Sequence, residues 1–154
     1  MDLTDLVAAI VSLNGDDAFR PQLNAEQWRG LAPFLTQREL RSGEPLIRDG
    51  DRDRTLYMLE RGSLHVFVNA LGRPGRVAVL RPGAITGELG LFLDAPRSAN
   101  VEAALPSVVW GLRQLRLEEL AQRMPVVAFE LVRAAGAVMA VRLRANGTPP
   151  LPQP

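Results

Sequence analysis

The sequence predicts an α+β chain: a β-barrel or jelly roll (a double-stranded β-helix) of about eight strands, interrupted by one short inserted helix, with N-terminal helices before it and two C-terminal helices after it. Three observations point there. The apolar period is helical at both ends and strand-like between them. Gly, Pro and Asp punctuate the middle at intervals of roughly 8–12 residues, the spacing of short antiparallel strands. One glycine-flanked segment breaks the strand pattern and then returns to it.

Residues 1–34 form the N-terminal helical segment. From Asp2 to Leu13 the apolar residues Leu3, Leu6, Val7, Ile10 and Val11 recur on one helix face. A second helix begins at Asn24. Gln27 stands three residues later, a capping box in which each side chain satisfies the other's free backbone N–H. Trp28, Leu31 and Phe34 form its buried stripe. Residues 35–114 are the strand region, with turn signals at Gly43, Gly50-Asp51, Gly62, Gly72, Pro74-Gly75, Pro82-Gly83 and Pro106. Leu64, Val66 and Val68 alternate with Ser63, His65, Phe67 and Asn69. Val77 with Val79, and Val108 with Trp110 and Leu112, alternate likewise, so one face of each strand is expected in the core and the other open. His65 falls on the open side. Over 115–145 the period is helical again. A short helix reaches Arg123, and a long one opens at Pro125, where a missing N–H costs nothing. The last residues, 146–154, hold four prolines and no core, and are expected to be a disordered tail. Nothing resembling a linker divides this single domain.

Composition removes several function classes. Lys plus Arg number 18 and Asp plus Glu 17, a net charge of +1, so no electrostatic footprint for nucleic acid is present. Only Arg142 and Arg144 break the even scatter of basic residues. There is no cysteine, which excludes disulfides, thiolate metal sites and cysteine nucleophiles and fits a reducing, cytoplasmic compartment. The single histidine, His65, excludes a multi-histidine metal centre within one chain. No basic residue precedes the apolar run Leu6 to Leu13, so it is not read as a secretory signal. The apolar stretch 124–141 contains Glu130 and Arg133, so no membrane span is expected.

The chemistry lies in residues 83–101. Gly87 and Gly90 flank Glu88 and Leu89; Leu91 and Phe92 follow, and Pro96-Arg97-Ser98-Ala99 leads back to a strand. Free N–H groups of Glu88 to Gly90 in a helical turn favour an anion, and Gly87 permits close backbone approach. Arg97 offers a planar fork that matches two phosphate oxygens. Glu88 is out of place beside a phosphate unless it accepts a hydrogen bond from a hydroxyl of the same ligand, such as a ribose 2′-OH. The competing reading is a plain surface pair between Glu88 and Arg97. Asp51, Arg52, Asp53 and Arg54 read as a solvated loop.

These residues resemble the phosphate-binding cassette of cyclic-nucleotide-binding domains, the ligand-binding unit of catabolite activator protein and of protein kinase A regulatory subunits. Gly87, Glu88, Leu89, Gly90, Leu91, Arg97, Ser98 and Ala99 match its pattern, and Glu88 and Arg97 stand nine positions apart as it requires. Ile47 to Asp51, Tyr57 with Gly62, and Pro82-Gly83 match the flanks. The resemblance covers about residues 28–144. It implies that Glu88 binds the ribose 2′-OH, that Arg97 binds the exocyclic phosphate oxygens, and that backbone N–H groups of Leu89, Gly90 and Ser98 complete the site around Ala99. The implied ligand is cAMP or cGMP, with no cofactor and no catalysis. Thr86 replaces a common aromatic residue, and Asn100 a common threonine.

The long last helix is expected to be both lid and dimer surface. Its apolar residues cover more than the single stripe needed to lie on a barrel, so a homodimer through 125–144 is expected, with the first helix as the rival cover. Phe129 and Arg133 are the candidates to cap the purine, against the plainer readings of packing and solvated charge. A domain retaining only the dimerisation role is the alternative function. A cupin-like metal enzyme lacks the histidines, and a serine hydrolase lacks a Gly-x-Ser-x-Gly elbow. Only a ten-residue tail follows Arg144, so no helix-turn-helix reader of DNA is expected.

Overall fold

The computed structural model describes residues 2–70 and 73–145. The expected tail, 146–154, and the turn signal at Gly72 lie outside the described residues. Helices α1 (Thr4–Ser12) and α2 (Ala25–Leu31) open the chain, and a 3-10 turn, Ala32–Phe34, ends this segment. The capping box forms as expected: Gln27 N donates to Asn24 Oδ1 at 2.8 Å, and Asn24 N donates to Gln27 Oε1 at 2.9 Å. Trp28, Leu31 and Phe34 are buried.

Eight strands follow: β1 (Thr36–Leu40), β2 (Pro45–Ile47), β3 (Thr55–Arg61), β4 (Leu64–Ala70), β5 (Arg73–Leu80), β6 (Ile85–Thr86), β7 (Asn100–Ala103) and β8 (Ser107–Arg113). A 3-10 turn, Glu88–Leu91, interrupts them, and α3 (Gln114–Arg123) and α4 (Pro125–Ala145) close the fold. The strands do not join into one closed barrel. They form two antiparallel four-stranded sheets, ordered β1-β8-β3-β6 and β2-β7-β4-β5, a jelly-roll sandwich.

Strand alternation sorts the interior into two cores. Leu40, Ile47, Leu59, Leu64, Val101 and Val109 meet between the sheets. Leu56, Met58, Ile85, Trp110 and Leu112 project from the opposite face of the first sheet and meet α1, α2, α3 and α4. The expected one-sided burial of β8 is therefore replaced by burial on both faces, because helices cover its outer side. Trp110 keeps its indole N–H satisfied on Glu60 Oε1 at 2.9 Å.

Strand β5 departs from expectation twice. Pro74-Gly75 is strand rather than turn; β5 is an edge strand, where a missing N–H is tolerated. Its pairing with β4 shifts register between Val66 and Phe67. Val79 is 46% exposed and pairs with His65, while Leu80 is buried opposite Leu64, so the face of β5 in the core is the opposite of the one expected.

The connection between α1 and α2 runs as a strap along α4, in the opposite direction. Gln22 N donates to Glu130 Oε1 at 2.7 Å, and Arg133 Nη2 donates to Arg20 O at 3.2 Å. The Arg133 guanidinium beside Glu130, with the Gln22 N–H, holds that carboxyl down at about 2. Phe19 anchors the strap in the helical core, where Leu6 and Ile10 of α1 also lie. Part of the second apolar face of α4 is thus covered from within the chain.

Candidate functional site

Arg97 is the centre of the site, and local backbone geometry places it. Its own backbone is clamped to the β2–β3 loop: Arg97 N donates to Asp51 O at 2.7 Å, and Gly50 N donates to Arg97 O at 2.8 Å. Asn100 Oδ1 extends that clamp by accepting from Asp49 N at 2.9 Å. Between these bonds the Arg97 side chain turns inward and is only 8% exposed. Its Nη1 donates to Gly87 O at 3.0 Å and its Nη2 to Thr55 O at 2.7 Å. Nε is buried without a partner. The nearest carboxylate in an ion pair with it, that of Asp53, stands at 3.9 Å.

The glycines make room for that guanidinium. Gly87 has φ of 79°, a left-handed conformation that favours glycine. A Cβ there would stand 2.6 Å from Thr55 O and 3.1 Å from Arg97 Nη2. At Gly90 a Cβ would stand 3.1 Å from Arg97 Nη1. The Gly90 N–H donates to Gly87 O at 3.1 Å, so it is not among the free donors expected at this turn.

The loop read as solvated instead buttresses the turn from behind. Arg54 Nε donates to Gly90 O at 2.9 Å. Asp53 accepts from Thr55 Oγ1 at 2.6 Å and from Tyr57 OH at 2.9 Å. Burial, then the Asp53 charge, raises the Tyr57 hydroxyl above its ordinary value of 10.0. Asp51 and Arg52 keep the expected exposed character, Arg52 in an exposed pair with Asp94 at 3.8 Å.

Glu88 does not pair with Arg97. Its Oε1 accepts from Arg142 Nη1 at 3.1 Å, and Arg142 Nε donates to Asp17 Oδ2 at 3.1 Å. The Arg142 side chain is 21% exposed and that of Glu88 13%. Sequence reasoning missed both Asp17 and Arg142; the one signal was a basic pair closing an otherwise apolar helix.

These groups border a cavity of about 470 Å³, within the usual range for small-molecule sites of roughly 300–1,000 Å³. Gly87, Glu88, Leu89, Gly90, Arg97, Ser98 and Ala99 all line it, as does buried Thr86. Ile47, Val66, Val68, Ala78, Leu80 and Val101 give it apolar walls from the second sheet. Met139, Arg142 and Leu143 close it from α4. Phe129 and Arg133 are not brought to it. Phe129 is 64% exposed on an earlier turn of α4, and Arg133 is engaged by Glu130 and Arg20 O. His65 lies on the other face of β4, edge-on to Phe67 with centroids 6.1 Å apart.

The arrangement offers a buried cation, a carboxylate beside it and apolar walls. No group of three or more His, Cys, Asp or Glu residues able to hold a metal occurs among the described residues. Nor is any described helix long and apolar enough to cross a membrane.

Comparison with known proteins gives one family model, "Cyclic nucleotide-binding domain", matching residues 37–124. The cAMP-dependent protein kinase regulatory subunit of Blastocladiella emersonii is 32% identical over 110 residues, 71% of this chain and 27% of that one. The cyclic AMP receptor protein of Thermus thermophilus is 31% identical over 126 residues, 76% of this chain and 56% of that one. Among solved structures, a cyclic nucleotide-binding domain from Methylobacillus flagellatus superposes with a TM-score of 0.80 at 22% identity, covering 93% of this chain and 79% of that chain. The chain spans about a quarter to a half of the curated relatives it matches.

Proposed function

The chain belongs to the cyclic nucleotide-binding domain family, and from that premise we propose that it is a non-catalytic sensor of a cyclic purine nucleotide, cAMP before cGMP. One observation carries the reading: Arg97 is a buried cation with no carboxylate in hydrogen-bond contact. Its terminal nitrogens rest on neutral carbonyls, and Nε has no partner. Such a buried charge is costly unless an anion joins it. A singly charged cyclic phosphate meets that need, and an adjacent ribose hydroxyl suits Glu88. The names of both similar curated proteins point to cAMP.

The purine would lie against apolar walls, with Met139 and Leu143 above it in place of Phe129 and Arg133. Ser98 supplies a hydroxyl near the phosphate end. His65 faces away from the cavity, which supports a binding role without general-base chemistry. Calorimetric titration with cAMP and cGMP tests the proposal. Binding of cAMP at micromolar to submillimolar concentration is expected; failure of both at millimolar concentration overturns it.

A second element concerns association. On α4, Val126 is 62% and Phe129 64% exposed, with Ala137 and Ala140 also open along the helix. We propose a homodimer through this face, small residues allowing close helix approach. Sedimentation of the wild type should show dimers that Phe129→Glu dissociates. A monomer at high concentration, with and without nucleotide, refutes it.

A further inference from the structure

We infer that Arg142 and Asp17 complete the ribose side of the nucleotide site, Arg142 orienting the Glu88 carboxylate and Asp17 fixing Arg142; this rests on the nucleotide-binding reading above. The three residues come from distant parts of the chain: Asp17 from the strap, Glu88 from the cassette, and Arg142 from the last turns of α4. The Arg142 fork is divided between two carboxylates, Nε on Asp17 Oδ2 and Nη1 on Glu88 Oε1, both at 3.1 Å. A planar guanidinium held on two edges has one orientation, and it imposes that orientation on Glu88. Arg142 engages Oε1, and Oε2 is the atom left to accept a ligand hydroxyl.

Charge supports the same assignment. An anionic ligand beside a carboxylate that is 13% exposed is repelled unless a cation stands by. Arg97 is held by Gly87 O and Thr55 O. Arg142 is the cation in contact with Glu88, and it lines the same cavity. The strap bonds at Glu130 and Arg133 hold α4 so that Arg142 meets Glu88. The N-terminal strap and the end of α4, both outside the family-matched region, thereby become part of the site.

A helix pin with no part in ligand recognition would weaken all nucleotides alike. An orienting pair acts on the ribose hydroxyl. Wild type, Arg142→Gln, Asp17→Asn and the double variant are titrated calorimetrically with cAMP and 2′-deoxy-cAMP. The wild type should prefer cAMP by about tenfold, the effect of one hydrogen bond to a charged group. Arg142→Gln should weaken cAMP by about tenfold more than the deoxy ligand, so the preference collapses, on top of a loss common to both from the missing cation. Asp17→Asn should lose about threefold on cAMP and nothing more in the Arg142→Gln background. Should Arg142→Gln not fold, Arg142→Lys keeps the charge but not the fork and should lose part of the preference. A preference that survives in the variants, equal weakening of both ligands, or independent addition of the two changes overturns the inference. A wild type that binds both ligands equally removes the role of Glu88 and this inference with it. A wild type that binds neither overturns the nucleotide reading itself.

Discussion

The two ends of the cavity are built in opposite ways. The Arg97 end is buried and built within the sandwich: neutral carbonyls of the cassette and of β3 hold the guanidinium, and two glycines leave it space. The Glu88 end is long-range and partly wet: an ion triad joins three segments, with the Asp17 side chain 46% exposed. The first end is preorganised and insensitive to where helices sit. The second exists only while α4 and its strap hold position. A ligand spanning both therefore ties a rigid anchor to a movable cover, and different contacts in free and bound states are what such coupling requires.

The sharpest way to break this contrast is Arg97→Ala. It should weaken cAMP binding by about 10–100-fold, the loss of one or more charge-assisted hydrogen bonds. Titration calorimetry reads it directly. A change below threefold would mean that the buried cation is not the anchor.

Next in size is Gly87→Ala, paired with Gly43→Ala as a control. Both glycines have positive φ, 79° and 83°, and share a strain cost of about 1–2 kcal/mol in a non-glycine residue. Nothing lies within 4 Å of a Cβ at Gly43, whereas one at Gly87 meets Thr55 O at 2.6 Å. Urea unfolding should place Gly87→Ala at least about 1 kcal/mol below Gly43→Ala. Equal losses would deny the close approach beside Arg97.

A smaller effect sharpens the description of the buttress. Tyr57 is the sole tyrosine, so ultraviolet titration reports it alone. Burial and then Asp53 raise its pKa, so it should ionise above 10.0. Raising the folded-state value means that its stabilising effect is complete below the unfolded value and is lost as pH climbs through the folded one. Asp53→Asn should move the titration back toward 10.0. No movement would place the cause in burial alone.

The smallest effect belongs to the strap. Glu130 titrates at about 2, against an ordinary 4.5. Its contribution is present above 4.5 and fades as pH falls toward 2. Hydrogen exchange in α4 should therefore loosen over that acid window, before the cassette turn does. Simultaneous loosening of both would erase the distinction between the two ends.

How much of this was legible in the sequence follows the same division. Glu88 and Arg97 sit in one short segment whose glycines, spacing and Pro-Arg-Ser-Ala ending together resemble a phosphate-binding cassette. The capping box at Asn24, the proline opening α4 and the eight strands were legible for the same reason: each signal is local. Asp17 and Arg142 carry no local signal, since only the docked helix brings them to Glu88. Phe129 and Arg133 stand only as candidates to cap the base, against packing and solvated charge, because the apolar pattern of α4 marks a helix without fixing which turn overlies the cavity. Val79 faces outward because Leu80 takes the buried position opposite Leu64, a pairing that the alternation within β5 does not reveal. Asp53 and Arg54 look like a solvated charge run until the cassette turn packs over them.

The β1–β8 pairing has a consequence for the making of the protein. Thr36 lies opposite Gly111, so the first strand waits for the last. A ribosome delivering the chain from its N-terminus must release some 75 further residues before that ladder closes, and long-range pairing of this kind is intrinsically slow. In the interval β1 is an unpaired edge, the hazard that leads nascent chains to aggregate. Its sequence meets that hazard: Gln37, Arg38 and Glu39 are polar and exposed, and Leu40 alone is buried. The strand that waits longest is the one least able to recruit a wrong neighbour.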